Sequence, residues 1–305
     1  MNNIHQLLRE KRNLVAIGAH DGLTARLGER AGFDLIWGSG FEISASYGVP
    51  DANIITMSEQ LRQCDVINDA VGIPVIADCD NGFGNAINAA VTVRRFERVG
   101  IAGVCVEDNS FPKRCSFYEG VGRELVPLAE HALKIRACRE AQQLDSFFVI
   151  ARTEALVAGE GVDAALTRAS AYAEAGAHAV LVHSKSRDPG ELVEFARQWD
   201  GVAPLVAVPT TYDEVSAETL HQLGYQIVIF ANQALRSAIK AMERNLATLR
   251  AAGRAYELRD GMVDLDHVFE LVGLDRLRAD EARYLTSTDV PSHRQTTHIT
   301  SGNGG

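Results

Sequence analysis

The sequence lacks the features that mark several classes of protein. Its 305 residues carry a formal net charge of −10, so there is no surplus of basic side chains for binding nucleic acid. The five cysteines are odd in number and have no CxxC spacing, which argues against a disulfide framework and against a structural zinc site. No apolar run approaches the length of a membrane span, and the first residues contain no apolar signal region. We therefore expect a cytoplasmic protein that binds neither nucleic acid nor a membrane.

Short apolar runs rich in β-branched residues recur along most of the chain, with amphipathic helical stretches between several of them. There are eight such runs, at residues 14–17, 33–37, 73–77, 102–106, 147–151, 179–182, 204–208 and 226–230. Alternation of strand and helix is typical of a parallel sheet, and eight units predict an α/β fold of the closed (β/α)8, or TIM-type, barrel. A doubly wound open sheet is the alternative, and it is weakened because no glycine-rich dinucleotide fingerprint follows the first run.

Helical stretches continue beyond the eighth predicted strand, at residues 234–252, 264–272 and 275–284. A barrel needs only one helix after its last strand, so we expect some of this surplus to pack on another subunit. The prediction is a single domain over residues 1–285, the barrel with its extra C-terminal helices. A disordered tail rich in Ser, Thr and Gly is predicted over residues 286–305.

Acidic side chains end two neighbouring strands of the predicted barrel, and enzymes with this fold build their sites from such positions. Asp78 and Asp80 lie two residues apart and so point to the same face of a strand, while Glu107 ends the next strand. Three acids repel one another unless a cation lies between them. Carboxylates without a His/Cys cluster suit Mg²⁺, with Mn²⁺ as a substitute, better than zinc. We predict a metal site, the alternative being solvated acids or helix caps.

Other strand ends carry groups that suit an anion. Arg152 and His183 follow the fifth and sixth runs, where a guanidinium and an imidazole would clamp a carboxylate or phosphoryl group. Taken alone, His183 is equally a strand-end histidine bonded to the backbone. Residues 38–41 either offer backbone N–H groups to an anion or form a tight turn. The segment 110–126, in a long connection after the fourth run, is the predicted lid.

Five ordered motifs carry a resemblance to a known family. They are WGSGFEISASYGVPDAN (37–53), ADCDNGFGN (77–85), VEDNSFPKRCS (106–116), IARTEALVAG (150–159) and VHSK (182–185). Over residues 5–285 the chain resembles the phosphoenolpyruvate mutase and phosphonopyruvate hydrolase branch of the isocitrate lyase superfamily. The resemblance implies a (β/α)8 barrel that exchanges its eighth helix between subunits, forms a homodimer or homotetramer, and binds Mg²⁺ with a small anionic substrate, a pyruvyl enolate.

The resemblance also implies roles for individual residues. The metal ligands would be Asp78, Asp80 and Glu107. The substrate-binding residues predicted with them are Ser39, Gly40, Phe41 and Asn85. The catalytic residues would be Asp51, Lys113, Cys115, Ser116, Arg152 and His183. Among these, Asp51 would lie near the transferring phosphoryl group, and Lys113, Cys115 and Ser116 fall on the gating loop.

Two positions depart from the mutase pattern EDK-x-FPK-x-NS. Asn109 stands where the pattern has its first Lys, and Cys115 stands where it has Asn. The hydrolase usually carries Thr at the place of Cys115, and the C–C lyases of the superfamily use a cysteine there as an acid/base. The motifs around Asp51 and His183 favour the phosphonate branch.

The preferred function is therefore that of an isomerase, a phosphoenolpyruvate mutase that interconverts phosphoenolpyruvate and 3-phosphonopyruvate in phosphonate biosynthesis. One alternative is a phosphonopyruvate hydrolase, which gives pyruvate and phosphate. A less favoured one is a C–C lyase of the methylisocitrate lyase type that uses Cys115. A non-catalytic anion-binding barrel is disfavoured, because acids, Arg and His all converge on one barrel mouth.

Overall fold

Eight parallel strands close into a barrel in the order of the chain, from β1 to β8 and back to β1. The computed structural model describes residues 3–114 and 123–285. The strands are β1 Leu14–Ala19, β2 Leu35–Gly38, β3 Val75–Asp78, β4 Gly103–Glu107, β5 Phe148–Thr153, β6 Ala179–Val182, β7 Leu205–Ala207 and β8 Tyr225–Phe230. Each of them overlaps one of the predicted apolar runs. The predicted (β/α)8 barrel is confirmed.

Helices surround the barrel and follow it. They are α1 Ile4–Lys11, α2 Gly22–Arg30, α3 Gly40–Ser46, α4 Met57–Ala70, α5 Ala86–Arg98, α6 Leu128–Ala141, α7 Ala155–Ala158, α8 Val162–Glu174, α9 Gly190–Gln198, α10 Ala217–Gln222, α11 Gln233–Ala252, α12 Leu265–Leu271 and α13 Leu274–Tyr284. A 3₁₀ helix spans Ala255–Gly261. Many begin at a side-chain cap; at α4, Thr56 and Glu59 form a reciprocal capping box. The long connection after β2 thus contains α3 and α4.

The strands are buried on both faces, which explains why they appear in the sequence as nearly continuous apolar runs. Alternate residues of β1 illustrate the two faces. Leu14 and Ala16 belong to the cluster that fills the barrel, whereas Ile17 and Ala19 pack toward the surrounding helices. Ile4 of α1 joins the inner cluster and is fully buried. This alternation decides which side chains reach the barrel mouth.

The chain forms two compact units, one spanning Met1–Arg244 and a second that begins at Asn245. The extra helices α12 and α13 are present in the second unit, as predicted. Their exchange between subunits and the single domain over residues 1–285 stay predictions, and the predicted tail lies outside the described residues. Among the helices of the described ranges, none is long and apolar enough to cross a membrane.

Candidate active site

The inward-facing rows of the barrel end in the residues that form the candidate site. Each of these residues follows the last inward apolar side chain of its strand by two positions, so the period of the strand carries it to the mouth of the barrel. The pairs are Trp37 and Ser39, Ile76 and Asp78, Cys105 and Glu107, Ile150 and Arg152, Leu181 and His183, and Val208 and Thr210. Alternation along single strands therefore assembles one rim from distant parts of the chain.

A pocket opens at this rim. Its walls are Trp37, Ser39, Phe41, Asp51, Asp78, Lys113, Arg152, His183, Val208, Thr210, Ala231 and Asn232. Most of the predicted site residues are in this set, and Thr210 and Asn232 are additions that follow β7 and β8 and lie 3.4 Å apart through Oγ1 and Nδ2.

One side of the pocket is an ion cluster centred on Lys113. Its ammonium lies 2.8 Å from Asp51 Oδ1 and also contacts Asp80 Oδ1. Burial disfavours the charged form of Lys113, but the carboxylates of Asp51 and Asp80 outweigh burial and hold its pKa well above the ordinary range. Burial raises the pKa of Asp80 to about 8, against the opposing effect of Lys113. Lys113 is thus a fixed positive charge on the pocket wall.

A second ion cluster in the pocket wall is centred on Arg152. Its guanidinium lies 3.1 Å from Glu107 Oε2 and 2.5 Å from Glu154 Oε1. Nδ1 of His183 lies 2.9 Å from the same Glu154 oxygen and 2.9 Å from Arg152. Burial lowers the pKa of His183, and Arg152 lowers it further. Burial opposes ionisation of Glu107 and Glu154 as well, but Arg152 outweighs it, so both have lowered pKa values.

Two members of the Arg152 cluster are absent from the predicted site. Glu154 is completely buried, and Arg123, which comes from the connection after β4, reaches it with Nε 3.0 Å from Oε2. Glu154 carried one sequence signal, its position directly after β5. Arg123 carried no such signal. The residues around it in the sequence do not indicate that it pairs with Glu154, which lies 31 positions further along the chain.

Asp108 points away from the pocket, as the residue after Glu107 must, and fixes the end of β5. One of its oxygens accepts the backbone N–H of Glu154 at 2.8 Å, and the other accepts the hydroxyls of Thr153 at 2.9 Å and Tyr172 at 2.8 Å. Burial raises the pKa of Asp108 to about 6, although these donors oppose the shift. Asp108 therefore fixes the backbone that carries Arg152 and Glu154, from the side of the strand that faces away from the pocket.

Ser39, Gly40 and Phe41 begin α3 at the mouth. The hydroxyl of Ser39 caps this helix by accepting the N–H of Glu42 at 3.3 Å. A Cβ added to Gly40 would lie 3.1 Å from Asp80 Oδ1 and 3.4 Å from Asp78 Oδ2, so glycine lets the two acids approach the backbone closely. Phe41 is 37% exposed.

The remaining predicted residues have different positions. Asn85 is the N-cap of α5, where its Oδ1 accepts the N–H groups of Ile87 at 2.9 Å and Asn88 at 3.3 Å, and it is not among the residues that line the pocket. Its predicted role in substrate binding stays a prediction. Cys115 and Ser116 lie outside the described residues.

The acids fit a hydrated hard cation and not a closed metal cage. Among the described side chains, no three His, Cys, Asp or Glu groups are placed to hold a metal ion by themselves. Asp80 pairs with Lys113 and Glu107 with Arg152. Asp78 is buried at the pocket wall, and burial raises its pKa by disfavouring the charged carboxylate. A cation bound beside Asp78 would stabilise that charge. Mg²⁺ commonly takes one or two carboxylates and completes its shell with water and substrate oxygens.

Comparisons with known proteins agree on a family. The model of the phosphoenolpyruvate phosphomutase family matches residues 4–250. Phosphonopyruvate hydrolase of Variovorax sp. (strain Pal2) is 44% identical over 275 residues, which cover 90% of this chain and 95% of that protein.

Two solved structures extend this likeness to three dimensions. The crystal structure of phosphoenolpyruvate phosphomutase from Streptomyces platensis subsp. rosaceus has a TM-score of 0.88 at 46% identity, with 90% of this chain and 95% of that one covered. A phosphonopyruvate hydrolase in complex with oxalate and Mg²⁺ has a TM-score of 0.88 at 43% identity, with coverages of 93% and 98%.

Proposed function

The chain belongs to the phosphoenolpyruvate phosphomutase family, and from that premise we propose that it is a mutase, an isomerase that interconverts phosphoenolpyruvate and 3-phosphonopyruvate for phosphonate biosynthesis. The observation that carries the proposal is the charge of the pocket. Lys113 and Arg152, both buried and positively charged, line it from different sides. Fixed buried cations around a small pocket suit a small substrate with several anionic oxygens.

Mg²⁺, with Mn²⁺ as a substitute, is the proposed cofactor. When bound, it would supply positive charge to the carboxylate and enolate oxygens of the substrate. Asp78, Asp80 and Glu107 are the residues that would hold it, directly or through water. Support comes from their shared rim and from the solved relative whose complex contains Mg²⁺ and oxalate.

Side chains of the protein would stabilise the negative charge of the phosphoryl group. The reaction breaks the bond between phosphorus and the enol oxygen and forms one between phosphorus and the methylene carbon of the same enolate. The group in transit is metaphosphate-like, and its oxygens need fixed positive partners. Arg152 is held in place by Glu107 and Glu154, and it provides such a partner beside His183. The mutase reaction also needs water to be kept from the phosphoryl group, which is the role predicted for the lid over residues 110–126.

A phosphonopyruvate hydrolase is the second candidate, favoured by the 44% identity to such an enzyme. Both reactions start from the same bound enolate and the same labile phosphoryl group. They differ in the acceptor, which is the enolate in the mutase and water in the hydrolase. The C–C lyase alternative would depend on Cys115 as an acid/base.

The reaction can be assigned by ³¹P NMR of the purified protein with phosphonopyruvate and Mg²⁺. We expect the phosphonate signal to convert to that of phosphoenolpyruvate. EDTA should abolish the conversion and added Mg²⁺ should restore it, while Asp78→Ala should remain inactive at metal concentrations that saturate the wild type.

Other products would identify the competing functions. Pyruvate and inorganic phosphate in equal amounts, with no phosphoenolpyruvate at early times, would make the protein a hydrolase. Cleavage of methylisocitrate-type substrates, lost in Cys115→Ser, would make it a lyase. Full activity of Asp78→Ala would contradict the metal assignment.

A further inference from the structure

The side chain of Asn53 connects three loops at the barrel mouth. Its Nδ2 donates to Asp80 Oδ2 at 2.8 Å, and its Oδ1 accepts the backbone N–H of Lys113 at 2.5 Å. The same Oδ1 lies 3.3 Å from Nδ2 of Asn81, which also donates to the carbonyl of Ser110 at 3.0 Å. One carboxamide thus joins the connections that follow β2, β3 and β4.

The partners of Asn53 fix the orientation of its amide. A backbone N–H can only donate to it, so oxygen faces Lys113 and nitrogen faces Asp80. The backbone of Asn53 has φ +54°, in the left-handed region that glycine, asparagine and aspartate tolerate best. Of these residue types, only asparagine supplies both the donor and the acceptor.

Both contacts of Asn53 are with residues that have a proposed role in the reaction. Lys113 is held twice, through its N–H by Asn53 and through its ammonium by Asp51 and Asp80. Asp80, a proposed metal ligand, is held by Asn53 on one oxygen and by Lys113 on the other. A change at Asn53 therefore moves the metal side and the Lys113 side of the pocket together.

We propose that Asn53 is a positioning residue that sets Asp80 for the metal and Lys113 for the substrate. It does not line the pocket and acts through these two neighbours. The proposal rests on the proposed function, in that Asp80 and Lys113 are assumed to serve a metal-dependent reaction of an anionic substrate.

Two variants of Asn53 separate its contact with Asp80 from its contact with Lys113, and a third variant is the control. Asn53→Gly removes the carboxamide and tolerates the backbone conformation. Asn53→Asp keeps an acceptor for Lys113 but replaces the donor to Asp80 by a like charge. The matched control is Asn68→Ala in α4, which removes a carboxamide that donates to the carbonyl of Val99 at 3.2 Å.

The first measurement is hydrogen–deuterium exchange at the Lys113 amide in metal-free protein without substrate. We expect about fivefold faster exchange in Asn53→Gly, the scale of one lost hydrogen bond, and rates near wild type in Asn53→Asp and Asn68→Ala. The second is Mn²⁺ affinity by electron paramagnetic resonance. Asn53→Gly should bind Mn²⁺ about tenfold more weakly, since partners of metal ligands commonly have effects of that size. The third is kcat/KM, which should fall in both Asn53 variants and not in the control.

The proposal is overturned if Asn53→Gly leaves both Lys113 exchange and Mn²⁺ affinity unchanged, or if Asn68→Ala reproduces its losses. Unprotected Lys113 in Asn53→Asp would overturn the assigned acceptor. The exchange and Mn²⁺ measurements need no turnover. A wild type that converts no phosphonopyruvate would contradict the proposed function. The exchange and Mn²⁺ measurements would still test the role of Asn53.

Discussion

His178, which precedes β6, is a partly buried imidazole in the wall of the barrel. Its Nδ1 accepts the N–H of Val149 at 2.9 Å, and its ring stacks on Phe148 with centroids 5.3 Å apart. Burial lowers its pKa from 6.5 to about 3, and the nearby charge of Arg139 adds to the shift. The folded protein therefore keeps the ring neutral. In the unfolded chain the same ring takes up a proton as the pH falls, and this favours unfolding.

The stability of the protein should consequently decrease on acidification. Because the folded pKa of His178 lies below 6.5, its contribution is fully present above pH 6.5 and is lost as the pH falls toward 3. We expect His178 to account for about 1–2 kcal/mol of the loss in unfolding free energy between pH 6.5 and pH 5. Urea denaturation across this range should show a shallower pH dependence in His178→Asn.

The exposed His267 is the control for that measurement, with a side chain 40% exposed. His267→Asn shows how far the loss of a histidine away from the barrel wall alters the measured slope. Fully buried His131, whose pKa burial holds well below its usual range, will preserve part of the slope in every variant. An unchanged slope in His178→Asn would count against the assignment.

At the scale of secondary-structure elements, Gly103 is a position where β4 and β5 leave no room for a side chain. It pairs with Phe148, and a Cβ added to it would lie 2.4 Å from the carbonyl oxygen of that residue. The two strands carry Glu107 and Arg152, which also face each other in the register. The glycine thus permits the pairing of β4 with β5 where the two strands begin.

Gly103→Ala should lower the unfolding free energy by about 1–3 kcal/mol, the usual cost of overpacking a core, because backbone atoms cannot move aside as a side chain can. Urea denaturation measures the effect. The control is Gly72→Ala, where the new Cβ would lie 3.2 Å from the end of the flexible Glu29 side chain, and a smaller change is expected. Equal losses in both variants would show that the β4–β5 approach has no special importance.

At the scale of the whole molecule, the second unit carries exposed apolar side chains. Helix α13 buries none of its residues. Nearby apolar side chains are also exposed, with Leu265 at 71% and Phe269 at 41%. Short helices that bury so little are not stable on their own in water, so we expect another subunit to cover them.

The protein should therefore have a mass of two or four chains of 33.1 kDa by light scattering after size exclusion. Leu265→Asp should shift the distribution toward the monomer, because it places a charge in the apolar contact. Asp266→Asn, on the same helix, should not. A wild type that is monomeric at micromolar concentration would contradict the predicted dimer or tetramer.

Local patterns of residues were enough to predict the barrel and much of its mouth. The strands follow from local apolar runs, and the positions of Asp78, Glu107, Arg152 and His183 follow from two-residue alternation beyond those runs. Both signals involve neighbours in the chain, so no long-range information was needed. The family resemblance, which the comparisons confirm, added Asp51 and Lys113 to the same pocket.

The pairing of side chains across the mouth could not be predicted from such patterns and is seen only in the folded chain. Asn53 meets Lys113 over 60 positions of sequence, and Arg123 meets Glu154 inside the protein. Such partnerships depend on how the barrel closes and on how its loops then pack. Pairing and burial are properties of the closed structure, and no local pattern of residue types encodes them.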